Sequence, residues 1–268
     1  MTAVDVTIDT VALSTAVASA RILRVRRQLL GDRRDVHVDV PGRAGAFTFA
    51  EEPGDRRIIL EVSFAETSFA LRRAAARALA GWADTPSGRV NMVIDDEPDR
   101  YYEVVLESAP DVDEWLAHGD AELEFRSSPY AFAVSTSSTS ITASAGSASG
   151  LFSDADTELV AFPVVEVTPL NGTLTAFELT IGPETLNWTG ASIGAGGTVT
   201  VSTPAAMVTT GPNTDVNLTG TYDALLVIME GVSGEFPLVN PGGNTYAFTT
   251  TGTATAVRFR ITWRARYR

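Results

Sequence analysis

A mainly β protein is predicted by three features of this sequence: an N-terminal β domain with one helix packed on a sheet, followed by a β-sandwich domain. Apolar and polar residues alternate with period two in run after run, the mark of half-buried strands. A single segment, between Ser68 and Ala83, shifts to helical spacing. Beyond residue 159, short Thr- and Val-rich runs are separated by Gly-containing turns, which is sandwich patterning.

In the first domain Val36, Val38 and Val40 alternate with His37 and Asp39. Ile58, Leu60, Val62 and Phe64 alternate with Arg57, Glu61 and Ser63, with Ile59 interrupting the polar face. Val90, Met92 and Ile94 form the next strand, then Tyr102, Val104 and Leu106, then Leu123 and Phe125. The helix is read from Leu71, Ala75, Leu79 and Trp82, with Arg72, Arg73 and Arg77 on its other faces. Thr67 or Ser68 supplies a cap, and Gly81 and Pro86 mark its end. In the second domain Asn171-Gly172 reads as a hairpin turn, and Gly190, Gly196-Gly197, Gly211-Pro212 and Gly242-Gly243 as further turns.

Charge draws the division between the domains. Residues 1–126 carry 15 Arg and 23 acidic residues, residues 127–257 carry no Arg and ten acidic residues, and five Arg return between Arg258 and Arg268. A Ser/Thr/Ala/Gly-rich stretch of linker composition follows Pro129-Tyr130. The expected layout is a first domain over 1–133, a linker or loop over 134–158 and a sandwich over 159–268. The 268 residues suffice for two domains of ordinary size, and 44% hydrophobic with 20% charged residues is globular composition.

Composition excludes several chemistries. Without cysteine there is no disulfide framework, thiol nucleophile or cysteine-based metal site. His37 and His118 are the only histidines; His37 lies between Asp35 and Asp39 on the polar side of a strand, and both read as tolerated polar residues. The run Asp95, Asp96, Glu97, Asp99 lacks the alternate spacing and bidentate Glu of a calcium loop and reads as a solvated turn. No nucleophile elbow, phosphate loop or HExxH-like pair occurs. The net charge of −13 disfavours specific nucleic-acid binding. No signal peptide and no apolar run of membrane-spanning length is seen, so a soluble protein made in the cytoplasm, without membrane insertion, is expected.

Four segments remain: Pro41-Gly42-Arg43-Ala44-Gly45-Ala46-Phe47, Asp95 to Tyr102, Phe125-Arg126-Ser127-Ser128-Pro129-Tyr130-Ala131, and Gly234-Glu235-Phe236-Pro237-Leu238 leading to Pro241-Gly242-Gly243-Asn244. Each reads as turn chemistry, with Gly, Pro, Asp and Asn at the bends. In order and spacing they resemble the distal tail protein family of long-tailed, siphovirus-type bacteriophages, a tail-tip or baseplate hub component. The Ser127-Ser128 pair departs from it, since relatives often have Cys and Asp there.

The resemblance implies a structural virion protein at the tail tip of a phage or a tail-derived particle, with no enzyme activity and no cofactor. It implies a homo-hexameric ring of first domains joined to the tail tube protein, through which DNA passes without specific binding. A galectin-like second domain would then sit outside, against hub, fibre or receptor-binding proteins. Gly42, Arg43, Gly45 and Phe47, and Arg264, Arg266 and Arg268 on the C-terminal strand, are the expected interface residues. Glu51, Glu52 and Asp55 are the expected lumen residues. The final strand, 257–267, is expected to return to the first domain. Trp188, Tyr222 and Tyr246 are candidates for a sugar-stacking surface, the feature that would make the second domain a carbohydrate-binding adhesin instead.

Overall fold

The computed structural model describes residues 4–31, 33–39, 46–66, 68–86, 88–109, 119–144, 146–154, 156–204, 206–211 and 232–268, with the backbone course alone at 33–39, 46–52, 191, 207 and 209–211. The chain divides into two compact units, Met1–Val134 with Arg268, and Ser135–Tyr267.

The first unit runs β1 (Val6–Ile8), β2 (Val11–Ala12), α1 (Leu13–Ala16), β3 (Ala20–Arg27), β4 (Arg33–Asp39), β5 (Ala46–Pro53), β6 (Arg56–Phe64), α2 (Phe69–Ala83), β7 (Val90–Ile94), β8 (Arg100–Ser108) and β9 (Asp120–Ala133). Antiparallel neighbours build one sheet in the order β2-β1-β7-β8-β9-β6-β3, while β4 and β5 pair with each other in a separate ladder. The alternation decides the register: Ile58 lies opposite Phe125 and Leu60 opposite Leu123, and all four are buried. On the other face Arg26 reaches Glu61 at 3.0 Å and also pairs with Glu122, and Arg57 meets Glu124 at 3.1 Å. Such half-exposed pairs contribute about 0–1 kcal/mol each, so apolar burial holds the register.

Helix α2 begins at the cap Ser68, whose Oγ accepts from the Leu71 N–H at 3.2 Å. Its buried residues are Ala75, Ala76, Leu79, Trp82 and Ala83. That stripe runs back through position 72 at the first turn, so Leu71 falls beside it and is 52% exposed, against expectation. Gly81 lies inside the helix and does not end it.

The third signature segment is likewise not a turn. Residues 125–131 lie within the long strand β9. Between the pairs Tyr102↔Ala131 and Val104↔Ser127, β9 uses more residues than β8, which makes a bulge. Pro129 sits in that bulge, where its missing N–H costs no ladder bond. Ser127 Oγ donates to the Ser128 carbonyl at 3.0 Å and Ser128 Oγ to the Tyr130 carbonyl at 2.7 Å, closing the bulge locally.

The second unit comprises β10 (Ser137–Ser144), β11 (Ser147–Asp154), β12 (Val164–Pro169), β13 (Thr173–Ile181), β14 (Glu184–Gly194), β15 (Thr198–Ser202), β16 (Met207–Gly211), β17 (Val232–Gly234), β18 (Gly242–Gly252), β19 (Ala256–Trp263) and β20 (Arg266–Tyr267). The ladder order is β16-β15-β12-β19-β10-β11-β18-β13-β14-β17. Its two halves meet at the single pair Ser144↔Ser147 and fold over one another as a sandwich. Phe248 of β18 stacks on Phe259 of β19 with centroids 4.2 Å apart, across the two layers.

Three expectations are corrected here. The stretch read as a linker over 134–158 is the corner hairpin itself: β10 pairs with β19 from Ser137↔Trp263 to Ser144↔Ala256, and β11 with β18 along its whole length. Linker composition misled because full ladders satisfy the backbone, while buried Ala143 and half-buried Ile141 and Phe152 face the core. Asn171-Gly172 is a crossover between layers and not a hairpin, since β12 and β13 pair with other strands. Asn171 Oδ1 accepts from the N–H groups of Thr255 and Ala256 at 2.9 and 3.2 Å and fixes that arch. The C-terminal run is also not one strand. β19 ends at Trp263, and Arg266 then bridges to Leu159, with the Glu158 N–H donating to the Arg266 carbonyl at 3.0 Å.

Candidate interaction site at the root of a hairpin

The strands β3 and β6 pair from Ala20↔Phe64 to Arg27↔Ile58, and between them the chain leaves the sheet as the hairpin β4–β5. The hairpin's register sets Val36 opposite Phe49 and Val38 opposite Phe47. Its root is tightly built. The Gln28 N–H donates to the Arg57 carbonyl at 3.1 Å, and the Arg57 N–H donates to Gln28 Oε1 at 2.9 Å. A Cβ on Gly31 would stand 2.0 Å from the Gly54 carbonyl oxygen, so only glycine allows the two outgoing segments to touch.

Two other signature segments converge on this root. The turn after β7 is closed by Glu97 N–H to Ile94 carbonyl (2.8 Å) and Arg100 N–H to Glu97 carbonyl (3.1 Å), as the turn reading required. Arg27, the last residue of β3, pairs with Asp96 and with Glu97 Oε2 at 2.9 Å. Tyr102 donates its hydroxyl to the same Glu97 oxygen at 2.7 Å. Partial burial opposes the charge on Arg27, but Asp96 and Glu97 outweigh it and hold its pKa above the ordinary value. Arg56, the first residue of β6, is buried opposite Ser127 of the β9 bulge, and burial lowers its pKa against the opposing influence of Tyr102 and Tyr130. Arg27 and Arg56 escaped the sequence reading, and Tyr102 was read only as a strand residue at the end of the acidic segment. The groups that the two arginines meet lie tens of residues away, and a lone Arg at a strand end carries no local signal.

This cluster gives a pH prediction. Burial, then the hydrogen bond to Glu97 and that group's charge, raise the Tyr102 pKa above 10.0. A raised pKa favours the protonated folded state, so this contribution is full below the ordinary tyrosine value and is lost as pH rises through the folded one. Tyr102→Phe is expected to cost about 1 kcal/mol at pH 8 and to flatten the loss of stability above pH 10. Urea unfolding from pH 8 to 11 tests this; parallel losses in both proteins would reject it.

The remaining expected site residues distribute as follows. Gly42, Arg43, Gly45, Tyr222 and His118 lie outside the described residues, as do the side chains of His37, Phe47, Glu51 and Glu52. Asp55 is half-buried at the hairpin root, 2.7 Å from Arg89 Nη2 and 3.5 Å from Arg126 Nε, which offsets its charge. Trp188 is corrected as a sugar contact: it is 4% exposed and stacks on Phe177 at 5.3 Å, its indole folded over Gly190. Tyr246 is half-buried and stacked on Phe248 at 5.0 Å.

Arg258 and Arg260 are exposed while Val257, Phe259 and Ile261 are buried, so the C-terminal alternation sets the faces of β19. Glu166 of β12, directly opposite Arg260 and 3.7 Å from it, is an acidic neighbour that sequence proximity did not reveal. Arg264 and Arg268 are exposed; Arg266 donates from Nη1 to the Val160 carbonyl at 2.8 Å and lies 4.7 Å over the Phe162 ring. In the fourth segment Asn244 is buried, accepting from the Asn240 N–H at 2.8 Å and donating to the Asn240 carbonyl at 2.9 Å. Among the described residues there is no cluster of three or more His, Asp or Glu able to hold a metal, and no helix long and apolar enough to cross a membrane.

Residues 21–127 match the family model of the phage tail protein RIFT-related domain. That stretch contains the hairpin, its root, the acidic turn and the start of the β9 bulge. The chain is similar in fold to the Dit (gp 19.1) protein of phage SPP1, described as a paradigm of the hub adsorption apparatus in phages infecting Gram-positive hosts, with a TM-score of 0.69 at 16% identity over 99% of each chain. Chains of the phage p2 baseplate, in its activated conformation with Sr or with Ca, align with TM-scores of 0.47 and 0.45 at 8% and 7% identity over 97% of each chain. No curated protein matches. Residues 21–127 of the first unit thus match a phage tail protein domain, in line with the sequence resemblance, and the fold likeness spans both units.

Proposed function

We propose, from the premise that the first unit is a phage tail protein domain, that this chain is a non-enzymatic hub at the tail tip. Its first units assemble as a homo-hexameric ring between the tail tube protein and the adsorption apparatus, and DNA passes through the ring. The second unit contacts hub, fibre or receptor-binding proteins. The observation carrying this reading is the family match over residues 21–127, with a fold likeness to a phage hub protein covering 99% of both chains in support.

The hairpin β4–β5 fits a contact role. An isolated two-stranded ladder is marginal in water, and this one has apolar residues opposite one another and a fixed root. A neighbouring subunit would cover it, with Gly42, Arg43 and Gly45 at its turn. The net charge of −13 per chain suits a channel that DNA crosses without adhering; Glu51 and Glu52 are proposed to face it. Electron microscopy of the purified full-length protein, with light scattering on the same sample, tests the reading. Six-fold rings with a central opening are expected. A chain that stays monomeric at every concentration, alone and with the tail tube protein, would overturn it.

A further inference from the structure

The sheet of the first unit ends in β3 on one side and β2 on the other, and the two ends differ in chemistry. At the β3 end Leu23 bulges out of the ladder between Ile22 and Arg24, and Leu23, Leu29 and Leu30 are 61%, 85% and 63% exposed. Arg21 and Arg24 are exposed beside them, and neither pairs with a described carboxylate. Three large exposed aliphatic side chains, one on the edge strand and two in the bend just beyond it, are a candidate contact surface.

The β2 end is concave. A cavity of about 400 Å³ opens there, lined by Val11, Ala78, Gly81 and Trp82 together with Asp9 and Asp84. Trp82 donates its indole N–H to the Val11 carbonyl at 2.8 Å, fixing helix to edge strand. Asp9 and Thr10 form the two-residue turn between β1 and β2 at φ values of 44° and 77°. A β-branched residue in the left-handed region is strained, and such strain is retained where it positions a group; here it holds Asp9 at the cavity.

Resting on the ring reading above, we propose that the β3 end of one copy docks into the β2-end cavity of a second copy. Leu23, Leu29 and Leu30 supply the apolar contact, and Arg21 and Arg24 face Asp9 and Asp84. Charge decides the polarity of this contact. Two β2 ends together would set Asp against Asp, and two β3 ends Arg against Arg; only unlike ends are complementary. The contact is therefore head-to-tail, the kind that closes a ring. Since β2 has only two residues, a ladder across the junction would be short, and side chains carry the recognition.

Two variants of the full chain separate the ends. Leu29→Glu with Leu30→Glu blocks the β3 end, and Ala78→Arg, at an exposed helix position, blocks the cavity. Circular dichroism and thermal melting confirm that both remain folded. By sedimentation velocity each variant should associate at least about tenfold more weakly than the parent. Mixed in equal amounts, the two should form dimers and nothing larger, because each pair retains one intact contact. Arg24→Glu and Asp84→Arg should each weaken assembly, and mixing chains that carry both exchanges should restore it. If the parent forms rings that neither blocked variant disturbs, or if the mixture yields no dimer, the assigned ends are wrong while the ring reading stands. A parent chain that never associates overturns both.

Discussion

Replacing Phe259 with Ala is expected to destabilise the second unit by about 3–5 kcal/mol. Phe259 is fully buried in the middle of β19. Its ring stacks on Phe248 at 4.2 Å and meets Phe177 edge-on at 6.3 Å, so one side chain joins residues of both layers. Truncation removes the burial of a whole ring and leaves a cavity between sheets whose ladders prevent collapse. Urea unfolding followed by tryptophan fluorescence, through Trp188 and Trp263 in the same core, gives the midpoint and slope. A lower midpoint at unchanged slope is expected. A loss below about 1 kcal/mol would mean that the layers do not depend on this stack. Phe248→Ala should cost a similar amount, and the double variant less than the sum, because each single change already breaks the shared contact.

Trp263→Phe should cost about 2–3 kcal/mol, although it keeps an aromatic ring in place. Trp263 Nε1 donates to Asp154 Oδ2 at 2.5 Å, and both residues are buried. Among the described residues the other Asp154 oxygen accepts a longer bond of 3.3 Å from the Asp156 N–H. Without the indole donor a buried carboxylate loses its best partner, which costs more than the ring volume removed. Asp154→Ala in the Trp263→Phe background should restore part of the loss, and the cycle of four proteins isolates the pair. If the two changes simply add, the bond is not the source of the effect.

Strand identity was legible wherever one face is buried. Ile58, Leu60 and Val62, then Leu123 and Phe125, were read as strands and pair as neighbours with their apolar residues opposed. The helix was legible in the same way, because Ser68 caps it and the spacing of Ala75, Leu79 and Trp82 is local information. The end of the chain was the clearest case: Val257 to Tyr267 keep alternate residues buried even through the break after Trp263.

The linker expected at 134–158 was misread because Ser, Thr and Ala have loop composition, and only pairing with β19 and β18 turns them into strands. Asn171-Gly172 and residues 125–131 showed a bend without showing what it joins: the first crosses between layers and the second is a bulge within one strand. The candidate site behaves the same way. The sequence marked the acidic turn and the Pro129 segment as separate signatures. Their meeting at the hairpin root, through Arg27 with Glu97 and Arg56 opposite Ser127, links residues tens of positions apart. Local periodicity and turn chemistry are set by neighbours within a few residues, so the sequence alone determined the helix and those strands whose buried face alternates locally. Which strand each one pairs with, and which charges meet, depends on closing long loops around a shared core, and that was decided by the tertiary structure.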